Sequence, residues 1–114
     1  MPDRSWSQLD IENEIIRLEG VLEGTTDDFA SIAIDAARAE ARYRVDYAKA
    51  FARYRMNGDS EKTSEAKATV ECAELLMERR SKEAQQRGLE EKCRSLRSSL
   101  DAVRTLSANV RAQT

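Results

Sequence analysis

Apolar residues recur along this chain at intervals of three and four, the signature of helices that bury one face. Ile11, Ile15, Leu18 and Leu22 form the first such stripe, with Leu9 and Ile16 widening it. Ser5 and Ser7 are N-cap candidates, each followed three residues later by a polar side chain, Gln8 or Asp10. Gly20 and Gly24 weaken the C-terminal end, and Gly24-Thr25-Thr26-Asp27-Asp28 reads as a break with a new cap. The predicted first helix therefore covers 7–22 and the second 27–56. Phe29, Ala33, Ala36, Glu40, Tyr43, Tyr47, Ala50 and Tyr54 keep strict 4-3 spacing on that second helix, flanked by Ile32 and Phe51. Asn57-Gly58 is a helix stop, since Gly best tolerates the left-handed conformation, and Asp59 or Ser60 caps the next helix. A third helix is predicted over 60–110. Its early stripe is read as Ala66, Val70, Ala73, Leu76 and Met77, and its late one as Leu89, Cys93, Leu96, Leu100, Val103, Ser107 and Val110. Between Glu78 and Arg87 only Ala84 is apolar, so the buried stripe is expected to shift face near Gly88.

Length and charge then select the topology. At 1.5 Å per residue the three helices would measure roughly 24, 45 and 75 Å, so the first two end to end match the third. Net charge alternates along the chain: −7 over 1–35, +4 over 36–58, −4 over 59–78 and +5 over 79–114. An antiparallel hairpin closed at Asn57-Gly58 sets each block beside one of opposite sign. Part of the alternation is also what the helix dipole favours. Equal rise on both arms puts residue n beside roughly 115 − n. The fold expected is all-α, a single elongated, coiled-coil-like helical hairpin with the short first helix beside the C-terminal half.

Composition narrows the chemistry. The 114 residues are 35% charged, carry a single Pro and lack His, with a formal net charge of −2. No apolar run approaches a membrane span, and Met1 to Trp6 leads into a charged segment without the apolar core of a signal peptide. Two cysteines without histidine or a CxxC pair do not make a zinc site. Cys72 and Cys93 lie 21 residues apart, about 30 Å along one helix, too far for a disulfide. Cys93 falls in the apolar stripe as a small core residue, and free thiols suit a reducing cytoplasm. Ser and Cys lack a His base, the carboxylates form no distinguished pair, and no phosphate-cradling loop occurs. A non-catalytic protein with no cofactor and no metal is expected.

Arg38 to Arg55 interleaves aromatics with bases, as in single-strand binders. Helical geometry separates the two sets: Tyr43, Tyr47, Phe51 and Tyr54 cluster on one side, while Arg38, Arg42, Lys49 and Arg53 fall on nearly the opposite side. The aromatics are read as core and the bases as a solvated face that touches phosphate if nucleic acid binds. Arg79, Arg80, Lys82 and Arg87 supply a second basic run, with Arg79 and Arg80 expected alongside Arg38. Ala30, Ile34, Ala37, Ala41, Val45 and Ala48 form an apolar face off the main stripe. Such a face normally meets another chain, so a homo-oligomer is expected.

Ala39 to Arg55 (AEARYRVDYAKAFARYR) and the tail from Leu96 (LRSSLDAVRTLSANVRAQ) resemble small helical proteins of tailed phages and prophages, many in actinobacteria. The resemblance covers about residues 35–113 and carries over no functional residue. Genes for such proteins often lie among replication and recombination genes. It implies an accessory role in recombination or replication, on single-stranded DNA or its binding proteins, in the host cytoplasm. The rival classes are a virion scaffold or head-tail component and an inhibitor of a host protein.

Overall fold

The computed structural model describes residues 6–113, which form three helices and no strand: α1 (Gln8–Met56), α2 (Glu61–Glu71) and α3 (Ala73–Ala112). The chain is all-α. It divides into two compact units, one built from the chain up to Phe29 and from Gly88 onward, the other from Ala30–Arg87.

α1 starts at a capping box. Ser7 Oγ accepts from the Asp10 amide at 3.1 Å, and the Asp10 carboxylate accepts from the Ser7 amide at 3.2 Å. Ser5, the other cap candidate, lies outside the described residues. The break expected at Gly24–Asp28 does not occur: α1 is one helix of 49 residues, not two. Buried Ile11, Leu18, Thr25, Ile32 and Ala39 follow one another at intervals of seven, so the seam runs straight through the supposed break. Thr25 fits inside it because its hydroxyl donates to the Val21 carbonyl at 2.8 Å.

In the first unit the N-terminal part of α1 packs antiparallel to the C-terminal part of α3. Buried Ile11, Leu18 and Thr25 face Cys93, Leu100 and Ser107, the last three also seven apart. Gln8 donates to Ser107 Oγ at 3.3 Å, and Arg104 reaches Glu19 at 3.3 Å. The late stripe of the third helix is thus buried or half-buried as its spacing predicts. Leu9 and Ile16 do not widen the core; they are 65% and 67% exposed.

The second unit contains the hairpin turn. Gly58 (φ +96°) ends α1 in a Schellman arrangement, its amide donating to Arg55 O and the Asp59 amide to Tyr54 O, both at 3.1 Å. Ser60 then caps α2 through the Thr63 amide. Ala50, Ala68 and Cys72 form the core, with Tyr43, Tyr47, Phe51 and Tyr54 packed against it. The early stripe of the third helix needs correcting. Ala66, Val70, Ala73 and Met77 are exposed and only Leu76 of the five is half-buried, while Ser64, Ala68 and Cys72 are the buried positions. Bulky rings on α1 leave space only for small side chains opposite, so the inward face carries Ser, Ala and Cys. The return arm is interrupted at Cys72 (φ −98°, ψ 13°), whereas Gly88 lies within α3. Side-chain contacts join Arg53 to Glu71 and Arg79 to Tyr43, further from the turn than equal rise predicts. Helical side chains lean toward their own N-termini, away from the turn on α1 and toward it on the returning arm.

Candidate functional site

Two surfaces of the second unit follow from this packing. The first is a shallow groove between α1 and α3, lined by Asp35, Arg38, Ala39 and Arg42 on one side and Glu78 and Lys82 on the other. Arg38 and Arg42 lie one turn apart on α1, and Lys82 comes from the opposing helix. Three cations therefore converge over a floor that includes buried Ala39. None of the three forms an ion pair with a described residue, although Asp35 and Glu78 share the groove.

The remaining bases of the basic runs fare differently. Arg53 grips the Glu71 carboxylate with both oxygens in reach, 2.6 Å to Oε2, and lies 5.1 Å from the Tyr54 ring centroid. That hydrogen bond, helped by Tyr54, raises the Arg53 pKa above its ordinary value. Arg79 lies 5.0 Å above the Tyr43 ring, and its Nε is 3.4 Å from Glu83 without the alignment of a hydrogen bond. Both arginines are occupied within the fold. The expected cluster of Arg38 with Arg79 and Arg80 is accordingly revised: the groove pairs Arg38 with Arg42 and Lys82, because Arg79 turns onto Tyr43. Lys49 borders a second depression with Asp46, Arg53, Glu71, Cys72 and Leu75. Arg80 and Arg87 are exposed, outside either depression.

The aromatics pack against the small-residue core, as helical geometry predicts, but two bases of the basic runs reach them: Arg53 lies against Tyr54 and Arg79 against Tyr43. Tyr43 and Tyr47 stack on each other at 5.9 Å between centroids, tilted by 41°. Arg79 lies over Tyr43, and Lys67 and Arg53 lie over Tyr54, so these two rings each already carry a cation on the fold. Nucleic acid bound at this unit would be held by backbone charge and not by base stacking.

The second surface is apolar. Ala30, Ile34, Ala37, Ala41, Val45 and Ala48 are all exposed, with Ile34 at 55% and Val45 at 50%. They lie on the side of α1 away from its buried seam, where nothing in the described chain covers them. The signal for this face was legible as 4-3 spacing offset from the main stripe. In the first unit Leu9 and Ile16 are likewise exposed, although their spacing assigned them to the core.

Both cysteines are free and buried. Burial pushes the Cys72 thiol above its ordinary pKa, and the carboxylates of Glu71 and Asp46 add to the effect. Among the described residues no group of His, Cys, Asp and Glu is placed to hold a metal ion, and no helix is long and apolar enough to cross a membrane. No family model, no curated protein and no solved structure matches the chain.

Proposed function

We propose that this chain is a non-catalytic helical interaction protein that works as a homo-oligomer, an accessory factor acting on single-stranded DNA or on the proteins that coat it. The observation that carries the DNA part is the convergence of Arg38, Arg42 and Lys82 from two antiparallel helices on one open groove. A phosphate backbone needs clustered cations without carboxylate partners, and these three supply them. Asp35 and Glu78 in the same groove limit the attraction of one chain. Repetition of the groove on an oligomer compensates through effective concentration. The exposed face from Ala30 to Ala48 supports the oligomer. The resemblance of Ala39 to Arg55 to small helical phage proteins supports a role in replication or recombination, with a virion scaffold or head-tail component as the second reading.

Fluorescence anisotropy with a labelled oligothymidine tests this reading. Wild-type protein is expected to bind at about 50 mM salt, with log K falling at a slope of about −2 against log salt for three single-strand phosphate contacts. Replacing Arg38 and Lys82 with Glu is expected to abolish retention while helicity and oligomer size stay unchanged. Absence of binding by the wild type at low salt refutes the DNA assignment.

A further inference from the structure

Two stretches of α1, both within the second unit, carry one pattern. Residues 35–42 (DAARAEAR) and 46–53 (DYAKAFAR) share an aspartate, a first base, three alanines and a closing arginine at the same intervals, eleven residues apart. Eleven residues are three helical turns plus about 20°, so the second stretch repeats the first on the same edge of α1, about 16.5 Å nearer the hairpin turn. Burial repeats with the pattern. Asp35 and Asp46 are half-buried, Ala39 and Ala50 are buried, and the four bases are exposed. Each repeat lines its own depression against the return arm.

The return arm is what distinguishes them. Arg53 grips the Glu71 carboxylate. Eleven residues back along α1 stands Arg42, and eleven residues on along the return arm stands Lys82. The helical ladder continues through Cys72, whose amide donates to Ala68 O at 2.9 Å and whose carbonyl accepts from the Leu76 amide at 3.0 Å. The count on that arm therefore also covers about three turns. The position facing the closing arginine is thus an acid in the second repeat and a base in the first. The first depression sets Arg38, Arg42 and Lys82 against Asp35 and Glu78, a net charge of +1. The second sets Lys49 and Arg53 against Asp46 and Glu71, a net charge of zero.

We infer that the depression at Lys49 and Arg53 is a second seat for the backbone phosphates of a single strand, in line with the first, and that Glu71 keeps it shut by occupying Arg53. The inference rests on the single-strand reading above and adds a second step to its track. A strand running along the hairpin axis past Arg38 and Arg42 meets Lys49 and Arg53 on the same edge of α1, three turns further on. In the wild type that stretch has no net charge to offer it, because Asp46 and Glu71 balance the two bases. Glu71 and Arg53 are both half in water, with side chains 42% and 52% exposed, so Glu71 can be exchanged without opening the core.

Glu71→Lys tests this, since it gives the second repeat the kind of residue that the first already has. Binding is followed by anisotropy with a labelled oligothymidine of about twelve nucleotides, longer than the track even at a stacked rise of about 3.4 Å per nucleotide. The slope of log K against log salt is expected to steepen from about −2 for three contacts to about −4 for six. Glu71→Gln, which removes the carboxylate and frees Arg53, is expected to give about −3.5. Arg53→Gln is expected to leave wild-type binding unchanged but to flatten the slope of the Glu71→Lys chain to about −3.5. Glu65→Lys makes the same change of net charge at an exposed residue outside both depressions and is the control, with circular dichroism checking that every variant stays helical. A wild-type slope in both Glu71 variants, or an equal gain from Glu65→Lys, overturns the second step and leaves the first standing. An Arg53→Gln change that weakens the wild type as much as the Glu71→Lys chain overturns the closure by Glu71. Absence of binding by the wild type and the Glu71 variants alike overturns the single-strand reading itself, and this inference with it.

Discussion

Gly24 is the residue at which continuity of α1 is most directly tested. If the helix passes through it, Gly24→Ala replaces a poor helix former with the best one, a gain of about 1 kcal/mol. The site can accept the methyl group: the added Cβ meets nothing within 4 Å, and Gly24 does not have the positive φ found at Gly58. The entropy of unfolding expected for a chain of this length converts that gain into a rise in Tm of roughly 4 °C. Gly58→Ala has equal space around it but the opposite sign. Its φ of +96° is strained for any side chain, so a loss of about 1–2 kcal/mol is expected. The assay is thermal and urea unfolding followed by circular dichroism at 222 nm, on wild type and both variants at one protein concentration. A stabilising Gly24→Ala beside a destabilising Gly58→Ala separates a helix interior from a helix stop. A Gly24→Ala variant that melts below wild type refutes the continuous helix, because it would mean that Gly24 is needed for a turn.

Two further outcomes follow from the second unit. Ser64 is fully buried and its hydroxyl has no hydrogen-bond partner among the described residues, so Ser64→Ala is expected to stabilise by about 1 kcal/mol in urea titration; a loss of stability would reveal a partner for that hydroxyl. The Cys72 thiol, its pKa raised by burial and by nearby carboxylates, is expected to alkylate far more slowly in the native protein than in urea, and equal rates would contradict its placement. Its folded pKa lies above the ordinary thiol value of about 9, so the unfolded chain releases the proton first. The contribution of Cys72 is therefore intact below about pH 9 and falls as pH rises past it, which comparison of wild type with Cys72→Ala measures as a stability difference growing less favourable to wild type.

The sequence by itself determined the all-α character, the hairpin and its stop. Those features are local: 4-3 spacing, the Ser7 and Ser60 caps and the Asn57-Gly58 stop each act within a few residues. It also determined that Tyr43, Tyr47, Phe51 and Tyr54 turn inward, since a helix fixes which side chains share a face. Tertiary packing decided what local signals left ambiguous. Gly24 and the threonines beside it favour a break, but the heptad through Leu18, Thr25 and Ile32 is buried against α3, and that packing overrides a penalty of about 1 kcal/mol. The return arm offered Val70 and Met77 as core by hydrophobicity, yet bulky rings on α1 admitted only Ser64, Ala68 and Cys72. The candidate site divided in the same way. Exposure of Arg38, Arg42 and the face from Ala30 to Ala48 was readable from helical angles alone. Arg53 and Arg79 were withdrawn from the basic surface only by Glu71 and Tyr43, partners that the lean of side chains toward their N-termini brings within reach across the hairpin.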